Sequence, residues 1–140
     1  MMNYYIFAGI AMILWGVAPI LGKLGLGNLQ PLTALTIRSL LISLLLIVVV
    51  TVRGQWDLVA GAAVKDVAFI GLEGIFAALL GQLAYYYALK IGEVSRVSPI
   101  VSAFPLVALF LGILFLGEKL SVYKVIAAIL IVAGMILMKY

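Results

Sequence analysis

The feature that most constrains this chain is a series of long apolar runs separated by short polar connections. A helix needs about 20 apolar residues to cross the hydrocarbon of a bilayer, and the run Val67–Leu89 is long enough to do so. Of all residues, 67% are hydrophobic and 10% are charged. A soluble domain of 140 residues has too little interior to bury this much apolar surface. The sequence therefore predicts an integral membrane protein.

The apolar runs predict an all-α membrane fold with five transmembrane helices in one domain, residues 1–140. The predicted helix bounds are 4–24, 32–52, 67–89, 96–117 and 121–139. Pro31 suits the first position of the second helix, and Pro105 is expected to bend the fourth. Asp66 is expected to cap the third helix. Nearly the whole chain is thereby assigned to spans and short loops.

Glu73 is the acidic residue that falls well inside a predicted span. A carboxylate in hydrocarbon is costly unless it is paired, hydrated or protonated. At 100° per residue this helix has a bulky face and a face of small residues, and Glu73 and Gln82 lie at the two edges of the small face. Two interpretations stay open. Glu73 either binds a cationic group or carries a proton, or it forms a structural ion pair that fixes helix register or dimer orientation.

Further polar, aromatic and small residues are candidates for a cavity beside Glu73. Trp15 and Pro19 share one face of the first helix, although Trp15 could equally be a packing residue. Arg38 lies about 10 Å along the second helix, where it either snorkels to the surface or binds a ligand or partner. The candidate substrate-binding residues are Trp15, Pro19, Arg38, Glu73, Gln82, Tyr85, Ser98 and Ser102. Glu73 is also the candidate for ion coupling.

Several function classes are disfavoured by composition. The chain has no cysteine and no histidine, which removes thiol catalysis, disulfides and the usual zinc and haem ligands. We predict no metal site, no cofactor and no enzymatic activity. The basic residues are spread singly, so the net charge of +4 does not indicate nucleic-acid binding. The expected surroundings are membrane lipid.

Basic residues are balanced across the membrane. Five spans would place four basic residues on the side of the N-terminus, side A, and four on the opposite side, side B. These are Arg53, Lys65, Lys119 and Lys124 on side A, and Lys23, Lys90, Arg96 and Lys139 on side B. Since Lys and Arg in loops set orientation, this balance predicts dual topology. Two antiparallel copies would form a ten-helix inverted-repeat homodimer, in which Arg38 of one copy lies level with Glu73 of the other.

Three groups of residues are similar to a known family. They are Leu14-Trp15-Gly16 with Pro19 and Lys23, then Pro31 with Arg38, and then Pro105 with Gly117-Glu118-Lys119 and Ala133-Gly134. Together they resemble the drug/metabolite transporter superfamily, as one five-helix EamA-type unit. The resemblance implies a multi-pass transporter of small organic solutes, frequently an exporter. Family members usually carry two inverted units in tandem, so one unit per chain agrees with a homodimer. Glu118 resembles the family's acid at the end of the fourth span, and we interpret it as structural.

The resemblance and the charge pattern together predict a secondary transporter in the cell membrane, as a multi-pass protein of an inner membrane. It would move amino acids, other metabolites or toxic compounds by alternating access, with export as the expected direction and protons as a candidate coupling ion. The alternative is a small membrane assembly or regulatory subunit that transports nothing. Solute-dependent stabilisation of a purified homodimer would favour the transporter.

Overall fold

The structure is a computed structural model that describes residues 4–137. Every regular element within this range is helical. The described residues divide into two compact units, one ending at Ile91 and the other beginning at Gly92. Four helical stretches are long and apolar enough to cross a membrane, and a fifth apolar helix is shorter. An all-helical membrane protein is thus confirmed, while a count of five full-length spans is not.

The first unit begins with two long helices, α1 (Tyr4–Gly25) and α2 (Pro31–Val52). These bounds lie within one residue of the predicted 4–24 and 32–52. Pro31 stands at the start of α2, where its missing N–H and fixed φ do no harm. The short connection between the two helices turns the chain back toward the side from which α1 came.

The third span is longer than predicted and is not a uniform α-helix. It follows a one-turn helix, α3 (Trp56–Ala60), and covers Val64–Ile91. Within it, α4 (Val64–Glu73) leads into a π-helical segment, Gly74–Gly81, which leads into α5 (Gln82–Ile91). The prediction that Asp66 caps this helix is wrong. Ala63 holds the cap position, and Asp66 lies in the first turn, where a carboxylate still complements the helix dipole.

The three spans of the first unit pack together where α5 meets α1 and α2. The buried side chains of this unit gather there, at the end of α1, the start of α2 and the end of α5: they are Pro19, Leu26, Pro31, Leu35 and Leu89. Leu89 has no exposed surface at all. By contrast, every residue of α4 is exposed. The unit is therefore closely packed at side B and open toward side A.

The second unit contains three helices, α6 (Val94–Val101), α7 (Phe104–Leu116) and α8 (Val122–Leu137). Pro105 lies in the first turn of α7, so it starts a new helix rather than bending a continuous one. Gly117 ends α7 with φ of 65°, a left-handed conformation that favours glycine. The 16 residues of α8 fall short of a full span. Its predicted end at residue 139 lies outside the described residues.

Candidate functional site

Glu73 lies at the junction between α4 and the π-helical segment. Glu73 is nine residues past Val64, where the helix starts, and this places it about 13 Å along the helix axis. A helix capped by Asp66 would have placed it closer to side A. Its side chain is exposed. Among residues 4–137, Glu73 has no ion-pair or hydrogen-bond partner. A membrane carboxylate that finds no partner among these residues needs another charge, water, a proton or a ligand.

The π-helical segment depends on Gly81. A Cβ at this position would lie 2.9 Å from the carbonyl oxygen of Phe76, closer than real Cβ atoms approach. The i→i+5 turns of a π-helix contain more residues per turn than an α-helix, and such segments are frequent at functional sites. Face assignments that assume 100° per residue therefore fail across this segment. The 100° spacing from which Glu73 and Gln82 were predicted to lie at two edges of one face does not hold here, so that placement stays a prediction.

Arg38 is the basic counterpart of Glu73. It lies seven residues past Pro31 on α2, about 10 Å along the axis, and its side chain is exposed. Arg38 has no ion-pair partner among the described residues either. Glu73 and Arg38 thus both lie well inside spans of the first unit, and among the described residues they form no ion pair with each other.

The two candidate residues of α1 have different surroundings. Trp15 is 67% exposed, whereas Pro19, one turn later, is buried. The helix face on which Trp15 and Pro19 were predicted to lie together is therefore buried at Pro19 and exposed at Trp15. The reason is that α1 is buried only toward its end, where the three spans meet. Trp15 does not pack inside the first unit. Its exposed ring is available to lipid, a partner or a solute.

Gln82 and Tyr85 both lie on α5, just after the π-helical segment, and both are half-buried. Ser98 and Ser102 belong to the second unit. Ser98 lies on α6 and is half-buried, while Ser102 is exposed and follows the end of that helix. The amide of Ser102 donates a hydrogen bond to the carbonyl of Ser98 at 2.8 Å, which links these two candidates through the backbone.

A cluster of two lysines, which the sequence did not reveal, ties α1 to α5. Lys23 Nζ donates to the carbonyl oxygens of Leu89 at 2.6 Å and Lys90 at 3.4 Å. In return, Lys90 Nζ donates to the carbonyl oxygens of Leu26 at 3.2 Å and Leu29 at 2.5 Å. We call these two side chains and the four carbonyls they bind the lysine cluster. Lys23 binds carbonyl groups in the last turn of α5, which that helix leaves open, and Lys90 binds carbonyl groups of the connection just after α1.

The second unit has its own polar feature beside a groove. Lys124 Nζ lies 3.0 Å from a carboxylate oxygen of Glu118, and both residues line a cavity of about 350 Å³ between α7 and α8. The carboxylate folds over Gly112, where an added Cβ would lie 3.3 Å from it. Both side chains of the pair are partly exposed. This geometry agrees with the structural interpretation of Glu118.

Comparison with known proteins decides the family. The sequence profile of the EamA-like transporter family matches residues 2–140. The chain belongs to the EamA-like transporter family. The resemblance found from the three groups of residues is thereby confirmed, and this family lies within the drug/metabolite transporter superfamily identified above.

Two curated proteins are similar to this EamA-like chain. A Sinorhizobium protein named "Uncharacterized transporter in cobO 3'region" is 30% identical over 119 residues, which cover 85% of this chain and 84% of the relative. An uncharacterized protein of Methanocaldococcus jannaschii is 42% identical over 60 residues, 43% of this chain and 44% of that protein. No solved structure matches the chain.

Family and structure together support a multi-pass transporter of the cell membrane. The apolar surface that the helices expose, from Leu14 on α1 to Phe110 on α7, is what a bilayer requires and water would oppose. Two side chains, Glu73 and Arg38, do not suit that apolar surface. They are the centre of the candidate site.

Proposed function

We propose that this EamA-like chain is a secondary transporter that moves small organic solutes, such as amino acids, other metabolites or toxic compounds, across the cell membrane by alternating access. Export is the direction we expect. Two antiparallel copies would provide the ten helices and the inverted symmetry that many transporters use. The observation that carries the proposal is the pair of unpartnered charges, Glu73 and Arg38, inside the spans of a transporter-family chain.

Depth supports the pairing of these charges between copies. Glu73 lies about 13 Å from side A and Arg38 about 10 Å from side B, by their positions along their helices. In one copy the two groups are at different levels of a hydrocarbon core of about 30 Å. Inverting a second copy brings Arg38 of that copy to within about 3 Å of the level of Glu73. The interior of the dimer would then hold two symmetry-related acid–base pairs.

Each candidate residue has a role in this proposal. Trp15 and Tyr85 provide aromatic contact, and Gln82, Ser98 and Ser102 provide hydrogen bonds. Arg38 or Lys23 suits a carboxylate group of the solute. Glu73 binds a cationic group or carries the coupled proton, and in the absence of solute it pairs with Arg38 of the second copy. Opposite charges placed at one site can serve a zwitterionic solute such as an amino acid.

The dimer is tested by crosslinking, which the cysteine-free sequence makes clean. Glu73→Cys and Arg38→Cys are placed in separate copies that carry different tags, and the two copies are expressed together. On oxidation we expect a disulfide that joins the two differently tagged copies. The control joins Glu73→Cys with Val64→Cys, a position near side A that an antiparallel copy holds at the far surface. Equal yields from both combinations would contradict the antiparallel arrangement.

Transport is tested with the purified protein in proteoliposomes. A panel of amino acids and small organic cations is first screened for thermal stabilisation, and a stabilising solute is then followed as labelled flux with and without a pH gradient. If transport is coupled to protons, solute flux in the unsubstituted chain should increase with the pH gradient. In Glu73→Gln, solute flux should no longer depend on the pH gradient. No stabilisation by any solute, together with copurification of a second protein, would instead favour the assembly subunit.

A further inference from the structure

We propose that the lysine cluster is a gate that closes the solute route at side B, and that α5 opens it by turning about the π-helical segment. This inference rests on the proposed function, because a gate has meaning only where a solute passes. It gives Lys23 and Lys90 the role of positioning residues, and it makes the π-helical segment a hinge.

The cluster holds two helix ends together in both directions. Lys23, near the end of α1, binds carbonyls at the end of α5, and Lys90 binds carbonyls just past the end of α1. Hydrogen bonds from a charged donor are stronger than neutral ones. A cation at a helix C-terminus also complements the helix dipole. Separating α1 from α5 would break all of these bonds at once, so the cluster acts as a cooperative lock.

The lock can open at Lys90, because the acceptors of its amine are the carbonyl groups of Leu26 and Leu29. Among the described residues Lys90 forms no salt bridge. A lysine near the membrane surface can extend its amine to water and headgroups, and the carbonyls at the end of a helix can accept hydrogen bonds from water. Opening therefore exchanges one set of hydrogen bonds for another and strands no buried charge.

Packing shows that this end of the first unit is closed while the other end is open. Leu89 and Leu26 fill the space under the cluster, with 0% and 2% of their surface exposed. An added Cβ at Gly22 would lie 3.6 Å from Leu89 Cδ1, so α1 and α5 touch here. On the side A half of α1, before Pro19, residues 4–18 are exposed or half-buried. Contacts between the helices of the first unit therefore close it at side B, and the described residues show no such closure at side A.

The π-helical segment is placed where a hinge is needed. It separates α5, which carries Lys90, from α4, which enters the membrane from side A. Segments of this type are frequent at functional sites and are among the places where helices kink, and hinges are short regions that absorb a change of backbone direction. Glu73 immediately precedes this segment. Binding at Glu73 and opening at Lys90 are therefore linked through one short stretch of backbone.

Antiparallel pairing would turn one gate into two. The cluster of the second copy would lie at the opposite membrane surface, so each surface would have one gate. Alternating access then requires one cluster to be formed while the other is broken. The two copies would exchange these states in each cycle. The formed lysine cluster of this structure corresponds to the closed state of one gate.

Thiol labelling tests the gate without measuring transport. Gly22→Cys places a thiol under the cluster, where an added Cβ meets ordinary contacts at 3.6 Å and 3.8 Å. In the full-length protein in permeabilised vesicles, Lys90→Met should raise the rate at which a water-soluble maleimide labels this thiol about tenfold, as expected when a charge-assisted hydrogen bond is lost. Lys90→Arg, which can still donate to carbonyls, should restore much of the protection.

The control uses Val64→Cys, an 87% exposed position at the other end of the first unit, whose labelling should not respond to Lys90→Met. Lys23→Met is the second variant and should raise Gly22→Cys labelling in the same way. If both lysine variants leave that labelling unchanged while remaining folded by thermal unfolding, the gate is refuted, whatever the flux assay shows. If labelling rises as expected but no solute is carried by any variant or by the unsubstituted chain, the lysines do hold the two helix ends closed, and it is the proposed transport that fails.

Discussion

Two pairs of charged side chains in the first unit differ in how they are satisfied. Lys23 and Lys90, at helix ends on side B, exchange hydrogen bonds with carbonyls of each other's segments. Glu73 and Arg38, well inside their helices, have no ion-pair partner among the described residues. The lysines lie over a buried contact between helices, whereas Glu73 and Arg38 are exposed.

The difference follows from where helix backbones leave groups unpaired. A helix satisfies its own carbonyls in the interior and leaves the last four open, so a charge at a helix end finds acceptors nearby. A charge in the middle of a span finds none in the backbone and needs another charge, water or a ligand. Side B of the first unit is therefore complete within one chain, and the region of Glu73 is not.

Removing the unpaired acid should have the largest effect on function. We expect Glu73→Gln to reduce solute flux about a hundredfold, the ratio that corresponds to about 2.7 kcal/mol, because the variant removes the charge that binds the solute's cationic group or the coupled proton. Labelled flux in proteoliposomes measures it. The matched control is Glu93→Gln, whose carboxylate makes an exposed pair with Arg96 and should leave flux unchanged. Flux preserved in Glu73→Gln would return Glu73 to a structural role.

Opening a cavity under the lysine cluster should have the next largest effect, this time on stability. Leu89→Ala should lower the free energy of unfolding by about 2 kcal/mol, the low end for a buried leucine, because lipid offers leucine an apolar alternative and packing alone is lost. Leu80→Ala, at a position 52% exposed, should cost much less. Reversible unfolding in mixed detergent gives both values, and equal costs would mean that side B is no better packed than the lipid-facing surface.

A side chain at Gly81 should disturb the π-helical segment. Gly81→Ala places a methyl group against the Phe76 carbonyl, and we expect a loss of about 1 kcal/mol, typical of mild overpacking. Gly71→Ala is the control, since an added Cβ there meets nothing within 4 Å. Thermal unfolding of both variants decides the comparison. A stabilised Gly81→Ala would show that the segment is an ordinary α-helix in the membrane.

Breaking the exposed ion pair of the second unit should have the smallest effect. Glu118→Gln removes the contact with Lys124, whose side chain is 38% exposed, and exposed pairs contribute between about 0 and 1 kcal/mol. A double-mutant cycle with Lys124→Met isolates the coupling between the two side chains. A coupling well above this range would mean that Glu118 is buried by a partner or a solute in the membrane.

Much of the fold could be predicted because span length and turn residues are local properties. The first two helices lie within one residue of their predicted bounds, since apolar runs and Pro31 determine them. The break before α7 and the π-helical segment were missed, because helical periodicity alone does not reveal where the backbone departs from α geometry. The positions of Glu73 and Arg38 inside spans were readable from sequence, but their lack of a partner was not.

The sequence by itself determined that this chain is a helical membrane protein with charges inside its spans, since composition and run length decide what a bilayer accepts. Family membership follows from sequence as well. Tertiary structure alone decided which helix ends meet. The lysine cluster joins residues 61 to 67 positions apart, and no local pattern specifies carbonyl acceptors at that separation. Lys23 and Lys90 resemble ordinary interface lysines until the packing of α5 against α1 brings their carbonyl partners within reach.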